Sequence, residues 1–389
     1  MYRPTYIKVD GNILENNIKN IISKFSDYKY YIAVVKNNAY HHGIYAAQYM
    51  INAGVNYLAV SSLEEAISLR KYFREIPILV LEPINCEYIF DAINNNITLT
   101  VSSIEDANKL SSSKLSDQLK VHMKIDSGMN RIGFKDRKSF HKAYNLLHEE
   151  KKILIEGIYT HLATSGVNDL FYKEQIDNFI NITKDIDLNE IPIVHVDRSL
   201  TLSTHDKLPF VNGFRMGIMM YGFKQSIARG NLLSRLKRNI LWKKNHFEGV
   251  HLDSDVDLNY VLSFYSKVME IRKIHSGEFV GYGAMYKAKN DEYIATIPVG
   301  YADGVLKSFG YIYINGKACP IVTECMDMIM VRVDKTVKVN DVVEIIGPHQ
   351  SVKDLSIRTG YSGHKFLNLF SNRVPIIYSY NDEQIEIKY

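Results

Sequence analysis

The chain has 389 residues, 46% of them hydrophobic, and its lysines and arginines outnumber its aspartates and glutamates by 47 to 43. That length suggests about two domains, or one barrel with an appendage, and so small a basic excess argues against a nucleic-acid or anionic-membrane partner. Three cysteines, Cys86, Cys319 and Cys325, show no metal-ligand spacing and are too few for a disulfide framework, the usage of a reducing compartment.

The opening residues, Met-Tyr-Arg-Pro-Thr-Tyr-Ile-Lys-Val-Asp, carry no apolar h-region, so no signal peptide is expected. No apolar run is long enough to span a bilayer, and a soluble, cytoplasmic protein is expected. Asp10 is a candidate N-cap for a helix bearing Ile13, Leu14, Ile18, Ile21 and Phe25 at helical spacing. An alternation then begins. Apolar strands are expected at 31–36, 57–61, 78–82, 97–101, 121–126, 155–161, 193–196 and 214–221, most separated by helical patterns such as 63–70 and 172–186. Eight strands with intervening helices point to a parallel α/β barrel, although a doubly wound sheet shares the alternation. Placement of polar residues favours the barrel. Lys36, Lys124 with Asp126, His161, His195 and Arg215 each stand near the C-terminal end of a different strand, and a parallel barrel gathers those ends on one face.

From about 225 to 258 the pattern breaks into basic and then acidic stretches, a charged connection. Beyond Tyr260 the period moves towards two, with strands expected at 261–274, 279–287, 293–299, 311–314, 328–333, 341–346 and 376–380 and a turn at Asn315-Gly316. The expected fold is therefore a (β/α)8 barrel over 1–235, a connection over 236–258 and a mainly β domain over 259–389.

The most informative stretch is Lys36-Asn-Asn-Ala-Tyr40-His-His42-Gly43, directly after the apolar run 30–35. A lysine ending a strand is often only a snorkelling side chain. Here a phenol and an imidazole follow at once. Desolvation favours the neutral form of an amine, the form that imine chemistry with an aldehyde cofactor requires.

This segment resembles the cofactor-lysine motif of the pyridoxal-phosphate-dependent alanine racemases. Further matches follow in the same order. They are Lys124-Ile-Asp126-Ser-Gly-Met-Asn130-Arg131, Gly157-Ile-Tyr159-Thr-His161, Arg215-Met-Gly217-Ile218, Gly281-Tyr282-Gly283, Gly300-Tyr301-Ala-Asp303-Gly304 and Cys325-Met326-Asp327. So many motifs in fixed order, over nearly the whole chain, are very specific. The resemblance implies a barrel plus a β domain, pyridoxal 5'-phosphate as cofactor, no metal, and a homodimer with shared active sites. It implies that Lys36 carries the cofactor as a Schiff base and acts as one acid/base, opposite Tyr282 from the partner subunit. A free phenol has a pKa of about 10, and the resemblance nominates His161 with Arg215 to lower it. Arg215 would face the pyridine nitrogen as a permanent donor. Arg131 would hold the cofactor's phenolic oxygen and the substrate carboxylate, and Lys124 would be carbamylated. Tyr40, Ser199 and the amides of Gly217 and Ile218 would bind phosphate, while Met326 and Tyr301 from the partner would contact substrate.

Three positions depart from the family's pattern. Arg198 replaces an asparagine near the cofactor, Asn372 replaces a tyrosine that limits pocket size, and Asn130 replaces a glycine. The expected activity is racemisation of L-alanine to D-alanine for peptidoglycan. The alternatives are a serine or broad-specificity racemase, suggested by Asn372 and Arg198, and a non-catalytic pyridoxal-phosphate-binding regulator, which Tyr282 and Met326 argue against. A decarboxylase on the same two-domain plan is hinted at only by Cys325.

Overall fold

The computed structural model describes residues 2–83, 85–164, 169–196, 201, 205–223 and 256–387. Strand β1 (Tyr6–Asp10) runs into helix α1 (Gly11–Lys24), and the Asp10 carboxylate accepts from the Ile13 amide at 3.0 Å. That satisfies one of the amides a helix start leaves unpaired. Leu14, Ile18 and Ile21 are buried on one face of α1, as a 3.6-residue period requires.

Eight parallel strands follow: β2 (Tyr30–Val34), β3 (Tyr57–Val60), β4 (Ile78–Val80), β5 (Leu99–Val101), β6 (Leu119–Ile125), β7 (Ile153–Thr160), β8 (Ile193–His195) and β9 (Gly213–Met216). They pair as β4-β3-β2-β9 and β5-β6-β7-β8. A bridge between Leu79 and Thr98 joins the two runs on one side. On the other, the Asn212 amide donates to the Val194 carbonyl at 3.1 Å. The result is a closed barrel. Its strands are near-continuously apolar because both faces are covered. The covering helices are α2 (Ala46–Asn52), α3 (Leu63–Arg70), α4 (Ile89–Asn94), α5 (Ile104–Ser112), α6 (Arg137–Glu149) and α7 (Asp169–Thr183). Ser62, Ser103 and Asp136 cap α3, α5 and α6 with side-chain oxygens.

The second domain is built on a ten-stranded sheet that also takes in β1. Its strands are β10 (Leu262–Lys267), β11 (Glu270–Ile274), β14 (Glu292–Ile297), β15 (Tyr311–Ile314), β16 (Lys317–Glu324), β17 (Ile329–Val333), β18 (Val342–Ile346), β19 (Ile376–Tyr380) and β20 (Glu383–Ile387), in the order β11-β14-β17-β16-β15-β18-β10-β1-β19-β20. The chain's first strand therefore lies between β10 and β19, not in the barrel wall. The expected strand 261–274 is two, because Val268 bonds to Asp341 while Met269 turns to Thr296. The expected strand 279–287 is the two-residue pair β12 (Phe279–Val280) and β13 (Tyr286–Lys287) around a short turn holding Tyr282. Strand β16 escapes sequence reading because Pro320 interrupts it. Asn315 and Gly316 both adopt positive φ, the hairpin turn their sequence predicts. Helices α8 (Val352–Thr359) and α9 (Gly363–Leu367) lead back towards the barrel mouth.

One buried apolar cluster runs through both domains. Polar ties reinforce it. The Tyr378 hydroxyl donates to the His42 carbonyl at 2.9 Å, and Asn17 donates to the Met220 and Asn259 carbonyls at 3.0 and 2.8 Å. Except for 256–258, the expected charged connection falls outside the described residues.

Candidate active site

Strand β2 stops at Val34, and Lys36 opens a turn of unusual hand. Asn37, Asn38, Ala39, Tyr40 and His41 all have φ between 50° and 66°. A left-handed conformation costs an L-residue roughly 1–2 kcal/mol, and such strain persists only where surroundings fix it. Here Glu65 accepts from the Asn37 amide at 2.6 Å and from the Ser61 amide at 2.9 Å. The His42 ring Nδ1 donates to the Ala39 and Tyr40 carbonyls at 3.1 and 3.0 Å. The turn brings the Lys36 and Tyr40 side chains to one cavity.

That cavity, of about 660 Å³, opens at the C-terminal ends of the barrel strands. Lys36, Tyr40, Lys124, Arg131, His161, Arg215, Gly217 and Ile218 all line it. The gathering expected of strand-end residues therefore holds for these. His195 and Asp126 are the exceptions: His195 is fully buried behind the wall and bonds Arg215, and Asp126 turns its carboxylate into the loop that follows β6. Loop 126–134 sets Arg131. The Asp126 carboxylate accepts from the amides of Gly128, Asn130 and Arg131 at 3.1, 2.9 and 2.8 Å. Phe134 bonds back to β6, and a Cβ on Gly133 would fall 2.5 Å from the Asp126 amide nitrogen. Asn130 has φ 58°, a conformation that glycine and asparagine tolerate best, so this substitution keeps the loop.

Four cationic side chains meet here. Arg215 is 4% exposed, and its Nη atoms donate to the carbonyls of Thr160, His195 and Val196 at 2.7, 2.6 and 3.2 Å and to His195 Nδ1 at 2.7 Å. Burial, then Arg131, Arg215 and Lys36, pull the Lys124 pKa down to about 8 despite Asp126. Burial and the Glu65 carboxylate push the Tyr40 phenol up to about 12. A Cβ on Gly217 would lie 3.6 Å from the Tyr40 hydroxyl. Gly217 therefore leaves open a small cradle beside that hydroxyl, in a cation-rich cavity suited to an anion. Among the described residues no cluster of histidine, cysteine, aspartate and glutamate is arranged for a metal, and no helix is long and apolar enough to cross a membrane.

Tyr282, Tyr301 and Met326 stand apart from this cavity. They are 79, 48 and 54% exposed on the second domain. Ser199 and Arg198 lie outside the described residues. Asn372 is exposed and does not line the cavity. Sequence reasoning missed Tyr159, whose ring stacks on His195 at 4.5 Å, and His364 and Asn368, which reach the cavity from α9 and the residue after it. Asn368 bonds Asn37 of the left-handed turn. Tyr159 was visible inside a quoted motif; nothing local marked the other two.

The family model "Alanine racemase, N-terminal domain" matches residues 9–225, and "Alanine racemase, C-terminal domain" matches residues 261–378. An alanine racemase of Streptococcus gordonii is 34% identical, over 97% of this chain and 98% of that enzyme. One from Halalkalibacterium halodurans is 31% identical, over 100% and 98%. The crystal structure of alanine racemase from Bacillus anthracis with bound L-Ala-P superposes with a TM-score of 0.86 at 30% identity, over 100% of this chain and 98% of that one.

Proposed function

Because the chain belongs to the alanine racemase family, and is thus a pyridoxal-phosphate-dependent amino-acid racemase, we propose how its own residues interconvert L- and D-alanine. The observation that carries the reading is the convergence of Lys36, Tyr40, Lys124, Arg131, His161 and Arg215 on one cavity. The cofactor fits that cavity on three counts: an amine to join its aldehyde, a cation-rich wall for its charge, and the open cradle at Gly217 beside the Tyr40 hydroxyl. When bound, it supplies a ring that draws electron density from the amino acid's Cα and so acidifies the Cα proton.

The side chains do the rest. Lys36 holds the cofactor and then takes or returns a proton on one face of Cα. On the other face, the partner subunit's Tyr282 does the same, with His161 and Arg215 stabilising its phenolate. Two carriers avoid moving one proton around the ring. Arg215, a donor only, would face the cofactor's ring nitrogen and hold it unprotonated, a setting that would keep charge near Cα and favour prompt reprotonation. Arg131 takes the phenolic oxygen and the substrate carboxylate. Carbamylation of Lys124 turns a cation beside Arg131 into an anion that orients it. Tyr40, Ser199 and the amides of Gly217 and Ile218 hold phosphate, and the partner subunit's Tyr301 and Met326 narrow the entrance.

The homodimer is supported by exposed apolar groups on the second domain. Tyr282, Met285, Phe279 and Met326 are 79, 80, 57 and 54% exposed, apolar surface that fits contact with a second copy. We place the enzyme in the cytoplasm, where its D-alanine supplies peptidoglycan synthesis. Two measurements test the reading. Borohydride reduction of the holoenzyme followed by peptide mapping should put the pyridoxyl label on Lys36; a label elsewhere overturns the site. A panel of L-amino acids should show alanine turned over fastest; faster loss of optical activity with serine would move the assignment to a serine or broad-specificity enzyme.

A further inference from the structure

Behind the cavity a file of polar side chains crosses the barrel interior. Arg215 Nη1 donates to His195 Nδ1 at 2.7 Å, His195 Nε2 lies 2.9 Å from His122 Nδ1, and His122 Nε2 lies 3.3 Å from Glu156 Oε2. Both rings are fully buried. An arginine offers donors only. His195 Nδ1 must therefore be bare, and its proton sits on Nε2. That proton points at His122 Nδ1, so His122 in turn carries its proton on Nε2 and gives it to Glu156. The opposite end imposes the same order. Glu156 accepts from the Tyr57 hydroxyl at 2.6 Å and the Thr98 hydroxyl at 3.3 Å and pairs with Lys120 at 3.2 Å. Its carboxyl is held below the usual range: burial opposes ionisation, but the bonds from His122 and Tyr57 and the charge of Lys120 outweigh it. Burial lowers the pKa of both imidazoles, with Arg215 adding to it at His195 and Glu156 opposing it at His122.

The barrel wall is shaped around this file. The pairing of β6 with β7 slips between Val121 and His122. At that slip β7 carries Gly157, where a Cβ would fall 2.6 Å from His122 Nδ1. A register break and a glycine inside a strand mark a place where the backbone makes room. His195 is held flat against Tyr159, with 12° between the rings.

We propose that Glu156, His122 and His195 are positioning residues that fix, through two forced tautomers, the direction in which Arg215 presents its donors to the cavity. If the tautomers reverse, His195 Nδ1–H faces an Arg215 N–H. Two donors repel, and the guanidinium has to turn. The inference rests on the role given above to Arg215, and its tests are separable from that role.

In holoenzyme labelled with ring-15N histidine, His122 and His195 should stay neutral and Nε2-protonated from about pH 6 to about pH 8, where an ordinary histidine titrates. An imidazolium or an Nδ1–H form at either ring in the parent protein overturns the proposal, whatever any variant does. Glu156→Leu removes the acceptor and should mix the tautomers. It should also change the absorbance of the bound cofactor and lower kcat roughly ten- to hundredfold with little change in KM, the range a lost outer partner commands. Glu156→Gln keeps an acceptor oxygen, so it should retain the Nε2–H pattern and recover most of kcat. A folded Glu156→Leu protein with parental spectrum, tautomers and kcat overturns the proposal. A pyridoxyl label away from Lys36 with the tautomers as stated removes the site reading and leaves the relay; the converse removes the relay alone.

Discussion

Lys124 is the residue whose chemistry the structure makes most measurable. Its amine is buried among Arg131, Arg215 and Lys36, and its pKa falls to about 8. In the unfolded chain it would titrate near 10.4. Between those values the unfolded state holds more protons, so stability rises with pH from about 8 to about 10.4. Below pH 8 the ammonium costs the fold about 3 kcal/mol, the pKa difference converted at about 1.36 kcal/mol each. Carbamylation requires the neutral amine. At pH 7 about a tenth of Lys124 is neutral, some two hundredfold more than for an ordinary lysine. The modification replaces a buried fourth cation with an anion, removing the penalty and gaining attraction to Arg131. In 13C-bicarbonate the native protein should therefore show a carbamate carbon by NMR, lost on unfolding and absent from Lys124→Ala. No carbamate signal in folded protein, or one that persists in Lys124→Ala, would refute the reasoning.

Mixed dimers of Lys36→Ala and Tyr282→Phe chains should regain part of the activity, since one of their two sites keeps both proton carriers; two folded, exchanging variants that stay inactive would disprove sharing. Gly157→Ala places a methyl 2.6–2.9 Å from the His122 ring and should cost about 1–3 kcal/mol by overpacking, read as a lower urea midpoint together with shifted His122 ring resonances. His41 and His42 are buried, and burial lowers their pKa values to about 4 and about 3. Unfolded, they take protons near 6.5, so stability should fall as pH drops below about 6.5. Urea midpoints at neutral pH and near pH 4.5 measure this, and equal midpoints would contradict it.

The barrel was legible because its apolar strands alternate with helical patterns and their polar residues stand at the strand ends. The reading went wrong where tertiary partners decide. Nothing local tells β1 that it pairs with β10 and β19, sequences more than 250 residues away, and Pro320 hid β16. The site's barrel half was legible from strand-end placement and from motif resemblance. Its left-handed turn was not, although the adjacent Asn37 and Asn38 tolerate that hand and were the available signal. Nothing local singles out His122 or Glu156 within their strands. Their roles depend on a register slip that no sequence period encodes.

The cavity's phenols bear on the need for a partner. Among the described residues lining it, Tyr40 and Tyr159 are the tyrosines. Burial pushes both up to about 12, the wrong direction for a base working near neutrality. Tyr159 is also tied to Thr100 at 2.9 Å and stacked on His195. A barrel that surrounds its phenols this closely cannot free one to titrate. A tyrosine base facing Lys36, as proposed above, would then come from outside the barrel wall, reaching the cavity with its hydroxyl still partly solvated and near cationic groups. Tyr282, on a short exposed turn of the second domain, meets that description in a second copy of the chain. On the two-carrier reading proposed above, that same burial leaves a lone subunit without a phenol fit to face Lys36.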